Sequence, residues 1–390
     1  MGVVLVSTEL YPSYYVGGLG VAVRNYFEAY KLAGIDASVI AICSERSEDR
    51  VYCAEPEGYV YSSLSSVVEK LTKLADLTGV SGDIIHANDW FTYPVAEYIK
   101  KQRGGGIVLT VHLPHFNESE KRAVERADLI ITVSNYVLSM LANVYGNSIR
   151  DKAVVVHNVT DWTASEAREL AKRIFGSSNR LEARKKVVRF VNSRAVVGSL
   201  SESCDKLVVS WGRLTGQKNP VFMLPLAEKL ERDTCVLIVG RYVNDVYADL
   251  LASMIEMYST RGKIALVRDL DVAFLKGIAY SSNVAVFPYV FEPFGITSIE
   301  AQAVGTPVVV NAENGLAETV APPSVAISIS ETDRFFKAVQ DLADKTHCED
   351  LEGVERIRKD VVDHVDRKFR LERLAEDLKK IYFEARARLS

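Results

Sequence analysis

Glu292 and Glu300 stand at the two ends of Glu292-Pro293-Phe294-Gly295-Ile296-Thr297-Ser298-Ile299-Glu300, which follows Phe291. The apolar run from Val284 to Tyr289 reads as a buried strand. A Pro and a Gly then break the chain, and Thr297 begins a helical pattern that continues through Ala303. A helix start offers free backbone N–H groups and the positive end of a dipole, which suits a phosphate. Glu300 falls one turn further on, about 5 Å at 1.5 Å per residue. A nucleotide phosphate at these amides would leave one carboxylate near a sugar and the other near a ribose. Two cations, Arg213 and Lys218, lie in a loop closed by Gly212 and Gly216 after the strand-like run Lys206 to Trp211. Arg meets phosphate in bidentate fashion and Lys as a point charge, so the pair could hold one diphosphate. If that diphosphate departs, such cations stabilise the developing charge more than the ground state.

The N-terminal half carries weaker signals. Gly17-Gly18-Leu19-Gly20 lies between the strand-like Val3 to Ser7 and a helical stretch, Val21 to Ala33. Such glycines let a backbone approach a phosphate, but the spacing does not match the dinucleotide fingerprint. The short strand Asp83 to His86 leads into Ala87-Asn88-Asp89-Trp90, where Asp89 could cap a helix from Phe91 to Lys101 or face a ligand. His112 follows the strand Ile107 to Val111, at the end of a doubly wound sheet where ligands bind. Asn314 precedes Gly315 in a loop after the strand Val308 to Val310, and Asn tolerates left-handed backbone.

The elements that must hold these residues alternate strand and helix in two blocks, which predicts two doubly wound α/β domains with a cleft between them. The length of 390 residues gives ample core for two or three domains. Net charge is −4, so no global basic field invites nucleic acid or a membrane surface. No apolar run has transmembrane length, and no signal peptide is visible, so a cytoplasmic protein without stable membrane insertion is expected. Cys43, Cys53, Cys204, Cys235 and Cys348 are scattered and odd in number, which predicts idle thiols in a reducing compartment. Ser165 to Ser193 is helical and cationic and reads as a solvated interdomain bridge. Leu371, Leu374, Leu378, Ile381 and Tyr382 form one apolar helical stripe, read as core.

The string with its two glutamates resembles the motif of the retaining nucleotide-sugar glycosyltransferases with two Rossmann-like domains (the GT-B fold). The EPFGIT variant is similar to the glycogen and starch synthases. Gly17, Gly18, Leu19 and Gly20 match that family's Lys-x-Gly-Gly-Leu-Gly-Asp loop, with Tyr15 in place of the Lys and Val21 in place of the Asp. His86 and Asp89-Trp90 match its His-x-His-Asp-Trp, with Asn88 for the second His. The resemblance implies a first domain of residues 1–157, completed by a C-terminal helix at about 371–390 that crosses back, and a nucleotide-sugar domain of residues 158–370. It implies glucose transfer from ADP- or UDP-glucose to the non-reducing end of an α-1,4-glucan. Alternatives are a hexosyltransferase for a small sugar, lipid or glycan acceptor, and a non-catalytic glucan- or nucleotide-binding relative. Arg213 and Lys218 would hold the diphosphate, Glu292 the hexose, and Glu300 the ribose. His112 would steady charge at the anomeric carbon. Gly17, Gly18, Phe294, Gly295, Ile296, Thr297, Asn314 and Gly315 would line the donor. Leu270 would lie by the base, and His86, Asp89 and Trp90 on the acceptor side. No metal or other cofactor is expected, because the two cations can do a metal's work. The donor's base, the acceptor and the oligomeric state stay open.

Overall fold

A computed structural model describes residues 2–14, 17–44, 48–56, 63–241, 245–258, 262–347 and 351–389. Tyr15 and Cys348 lie outside them. The chain divides into two compact units, Met1–Val159 with Phe369–Ser390, and Thr160–Lys368.

The first unit runs β1 (Gly2–Ser7), α1 (Gly18–Leu32), β2 (Asp36–Ile42), β3 (Val51–Ala54), α2 (Leu64–Thr78), β4 (Ile84–Asn88), α3 (Tyr93–Arg103), β5 (Gly106–Val111), α4 (Glu118–Arg126), β6 (Leu129–Thr132), α5 (Asn135–Tyr145) and β7 (Ala153–Val155). Its strands form one parallel sheet in the order β3-β2-β1-β4-β5-β6-β7. Every residue of β4 and β5 is buried, because helices cover both faces of such a sheet. The continuous apolar runs in the sequence are the trace of that double cover.

The second unit begins with α6 (Ala164–Phe175) and α7 (Arg180–Arg194). It continues through β8 (Val197–Leu200), β9 (Lys206–Arg213), α8 (Met223–Lys229), β10 (Thr234–Arg241), α9 (Asp245–Tyr258), β11 (Lys263–Arg268) and α10 (Val272–Ser281). It closes with β12 (Val284–Phe287), α11 (Ile296–Ala303), β13 (Val308–Asn311), β14 (Val325–Ile327), α12 (Thr332–Lys345) and α13 (Leu351–Lys368). The sheet order is β14-β13-β12-β9-β10-β11-β8, parallel except that β8 runs antiparallel to β11. The last helix, α14 (Leu371–Leu389), belongs to the first unit and packs along α1. Its Leu374, Leu378, Ile381 and Tyr382 are buried in that unit's core.

Two expectations are corrected. The cationic stretch from Ser165 to Ser193 is no solvated bridge. It is the helix pair α6 and α7, broken at the left-handed Gly176 and packed on α10, with Ala171 against Gly277 and Phe190 stacked on Phe274. Nor are the described cysteines idle thiols. Cys43 and Cys53 form one disulfide and Cys204 and Cys235 another, with Cα atoms 5.0 and 5.8 Å apart. Each bridge joins a cysteine on a strand to one on or next to a neighbouring strand, an adjacency that spacing along the chain does not reveal.

In a doubly wound sheet, ligands bind at the carboxyl ends of the strands where the winding reverses. That point lies between β1 and β4 in the first unit and between β9 and β12 in the second. Asp89 follows β4, while Arg213 ends β9 and Glu292 follows β12.

Candidate functional site

In the second unit the site is built around Tyr289, just past β12. Its ring is buried, and its hydroxyl donates to the Trp211 carbonyl at 2.6 Å and lies 3.4 Å from Thr297 Oγ1. Burial raises the pKa of that phenol. The Thr297 hydroxyl opposes this, the Glu292 and Glu300 carboxylates push the same way as burial, and Arg213 opposes them. Lys218 Nζ lies 4.1 Å from the ring centroid and forms an ion pair with Glu292 Oε2. Lys218 reaches this position from a short 3-10 turn, Gly216–Lys218, that follows β9. The structure thus brings together four residues singled out in the sequence: Arg213, Lys218, Glu292 and Glu300.

The turn carrying Glu292 is locked by a second loop. The Gly315 N–H donates to the Glu292 carbonyl at 2.9 Å. A Cβ on Gly315 would overlap the Pro293 carbonyl, and one on Gly295 (φ +102°) would overlap the Leu316 side chain. Asn314 works differently from its sequence reading: its backbone is extended (φ −151°), and its side chain is buried. Its Nδ2 donates to the Tyr289 carbonyl at 2.8 Å and its Oδ1 accepts from the Leu316 N–H at 3.0 Å, so it anchors the loop. Gly295 is the N-cap of α11, and Ile296 and Thr297 sit half-buried in its first turn. Phe294 is buried, with its N–H 3.4 Å from Glu292 Oε1. Leu270 is half-buried between β11 and α10.

Glu300, one turn into α11, accepts from the Trp211 indole N–H at 3.2 Å through Oε2. Burial pushes its carboxyl up to about 7; the Trp211 N–H opposes this, the Asp161 charge adds to it, and Lys276 opposes it. Trp211 is buried and stacks on Trp162, with centroids 6.1 Å apart and planes 11° apart. Tyr289, Trp211 and Trp162 were not singled out in the sequence. Trp211 and Glu300 are 89 positions apart, and only the pairing of β9 with β12 brings them together.

In the first unit, Asp89 adopts a left-handed backbone (φ 62°) past β4. It caps no helix with its side chain. Its Oδ1 accepts from the backbone N–H groups of His112 at 2.6 Å and Leu113 at 3.3 Å, pinning the loop after β5. Burial raises the Asp89 carboxyl to about 8 against those two donors. His112 Nε2 lies 3.1 Å from Asn88 Oδ1, and burial lowers its pKa to about 3, so the ring is neutral at physiological pH. Asn88 Nδ2 donates to the Val6 and His86 carbonyls, which fixes the amide that faces His112. Trp90 is half-buried, and its indole N–H has no hydrogen-bond partner among the described residues.

His86 is corrected: it does not face an acceptor. It is fully buried between Tyr30 Oη (3.1 Å) and Thr110 Oγ1 (2.7 Å) and stacked on Tyr26. Its place inside β4 turns it toward α1, a detail its motif does not carry. Gly17 has an extended backbone that any residue could adopt, and its N–H donates to Glu9 Oε2 at 3.2 Å. Gly18 starts α1, and a Cβ on Gly17 would meet nothing within 4 Å.

Residues 16–162 match the family described as Glycosyltransferase Family 4, and residues 197–352 match Glycosyl transferases group 1. The chain belongs to the glycosyltransferases with two Rossmann-like domains, the GT-B fold. This glycosyltransferase is 25% identical over 345 residues to an uncharacterized glycosyltransferase of Methanocaldococcus jannaschii, covering 82% of the chain and 83% of the relative. It is also 25% identical over 350 residues to the alpha-maltose-1-phosphate synthase of Mycolicibacterium smegmatis, covering 82% of each. Its fold resembles the catalytic domain of Arabidopsis thaliana starch synthase IV, bound to ADP and acarbose, with TM-score 0.78, 16% identity and 99% of both chains covered.

Proposed function

We propose that the protein is a retaining glycosyltransferase that moves glucose from ADP- or UDP-glucose to the non-reducing end of an α-1,4-glucan. The observation that carries this is the grouping of Arg213, Lys218, Glu292 and Glu300 around Tyr289 at the switch point of the second sheet. Arg213 and Lys218 hold the diphosphate, and Glu292 accepts hydrogen bonds from hexose hydroxyls. Glu300 accepts from the ribose. That the starch synthase IV structure this chain resembles is bound to ADP supports a nucleoside-diphosphate donor. In the transfer, the bond from the anomeric carbon to the diphosphate breaks and one to the acceptor oxygen forms on the same face. The acceptor proton passes to a departing phosphate oxygen. We assign neutral His112 to the reacting carbon and Asp89 to holding the His112 loop. Arg213 and Lys218 neutralise the leaving group, so the reaction needs no metal, and transfer in excess chelator stays within about twofold of the untreated rate.

A smaller acceptor is the second reading, favoured by the likeness to a synthase named for alpha-maltose 1-phosphate and by Asn88, whose side chain is spent on protein groups. Labelled ADP-glucose and UDP-glucose offered with glycogen, maltose or glucose 1-phosphate separate the two. Label in glycogen supports the first reading, and label only in a small product supports the second. If neither donor is consumed with any acceptor, the glucosyl-transfer proposal fails.

A further inference from the structure

We propose that Trp211 is a positioning residue for the donor: its indole N–H holds one oxygen of Glu300 so that the other is presented to the ribose hydroxyls. The inference rests on the ribose role given to Glu300 above. Three features carry it. The Trp211 ring is wedged, stacked on Trp162 on one side and edge-on to Phe287 at 4.9 Å and 88° on another. Its N–H therefore points in one direction, and what lies there is Glu300 Oε2 at 3.2 Å. Glu300 Oε1 accepts no hydrogen bond from a described residue, and Glu300 is not fully covered, so one oxygen is fixed and one is available.

A tryptophan that only filled the core would pack equally well with its N–H on a backbone carbonyl. A buried N–H spent on a largely buried carboxylate that keeps some exposure does more, because it removes the rotational freedom of a group that must meet two hydroxyls at once. Trp162 extends the same device. It lies in the segment entering the second unit, with Lys276 Nζ 5.6 Å from its ring, and Lys276 is tied to Glu166 at 2.8 Å. Both rings of the stack are buried, so the indole side of the indole–carboxylate bond has little access to water, which strengthens it.

The test measures binding of ADP and UDP and of their 2′-deoxy forms by calorimetry to the full chain, Trp211→Phe and Glu300→Gln. The wild-type chain is expected to bind its preferred ribonucleotide about tenfold or more tighter than the deoxy form. In Trp211→Phe that ratio falls to about threefold or less while deoxy affinity stays within about twofold, a pattern that general loosening of the fold does not produce. If Trp211→Phe keeps the full ratio while Glu300→Gln loses it, this inference fails and the ribose role stands. If Glu300→Gln keeps the ratio, the ribose role itself fails. Should Trp211→Phe not fold, ¹⁵N-indole spectra of the wild-type chain decide, since it has three tryptophans. One indole signal must move differently with the ribo and deoxy nucleotides, and three signals that respond alike to both overturn the inference.

Discussion

Lys218 and Glu292 are paired with side chains only 14% and 13% exposed, so a diphosphate that takes Lys218 must displace a carboxylate already on it. Glu292→Gln removes that competitor. The free nucleoside diphosphate should bind about three- to tenfold tighter, while transfer falls about a hundredfold if, as proposed, the hexose hydroxyls need the charged carboxylate and both its oxygens. Calorimetry beside initial rates checks this, and weaker diphosphate binding would make the pair merely structural. Lys218→Ala should lower kcat/KM at least about tenfold. Glu300 adds a pH dependence. Burial raises its carboxyl to about 7, and in the proposed ribose role the ionised form is the one with both oxygens able to accept from hydroxyls. Donor KM should therefore rise as pH falls from 8 to 6, and Glu300→Gln should flatten that profile. Stability follows the opposite sense. The folded chain keeps this proton longer than the unfolded chain, so stability contributed by Glu300 falls as pH climbs from the ordinary carboxylate range to about 7, and levels above it. Denaturant midpoints of wild type and Glu300→Gln should converge in acid.

At the scale of elements, two loops decide whether those residues meet. The turn Glu292–Gly295 and the loop at Gly315 interlock so closely that neither glycine has room for a methyl group. Gly315→Ala drives a Cβ into a backbone carbonyl that cannot swing aside, whereas Gly295→Ala meets the movable end of Leu316 but forces a left-handed backbone. Both should destabilise the second unit by about 1–3 kcal/mol, with Gly315→Ala the worse, seen as a lower unfolding midpoint and a raised donor KM. Much of this level is legible in the sequence. Strands such as β5 and β12 are buried on both faces and so appear as unbroken apolar runs. The turn between two glutamates shows because Pro and Gly punctuate it. Other contacts are not legible. Which way His86 points depends on where α1 lies, and that Trp211 reaches Glu300 depends on β9 lying beside β12. The short edge strand β8 is only four residues long and is interrupted by Gly198 and Ser199, so it leaves no apolar run or alternation in the sequence.

For the whole molecule, the division into two units and the two disulfides make separate claims on stability. The Cys43–Cys53 bridge lies within the first unit and spans 10 residues, and Cys204–Cys235 lies within the second and spans 31. Chain entropy assigns them about 2.7 and about 3.7 kcal/mol, so a reductant should lower both units' unfolding temperatures and Cys204→Ser only the second's. The last helix ties the chain's end to its beginning. Leu374, Leu378, Ile381 and Tyr382 are at most 3% exposed, and the Tyr382 hydroxyl donates to Asp83 at 2.6 Å beside the start of β4. At about 1.5–3 kcal/mol for each large apolar side chain, α14 supplies a share of the first unit's stability comparable to a typical domain's net total. A chain ended before Phe369 should therefore leave the first unit unfolded and the second folded. Because the residues proposed to hold the diphosphate, Arg213 and Lys218, lie in that second unit, the shortened chain should still bind ADP or UDP while transferring no sugar. Hydrogen exchange localised to the two units, measured beside nucleotide binding, checks both halves of this prediction. Native-like protection of β1 and β4 in the shortened chain would mean that the first sheet holds without the helix that returns to it.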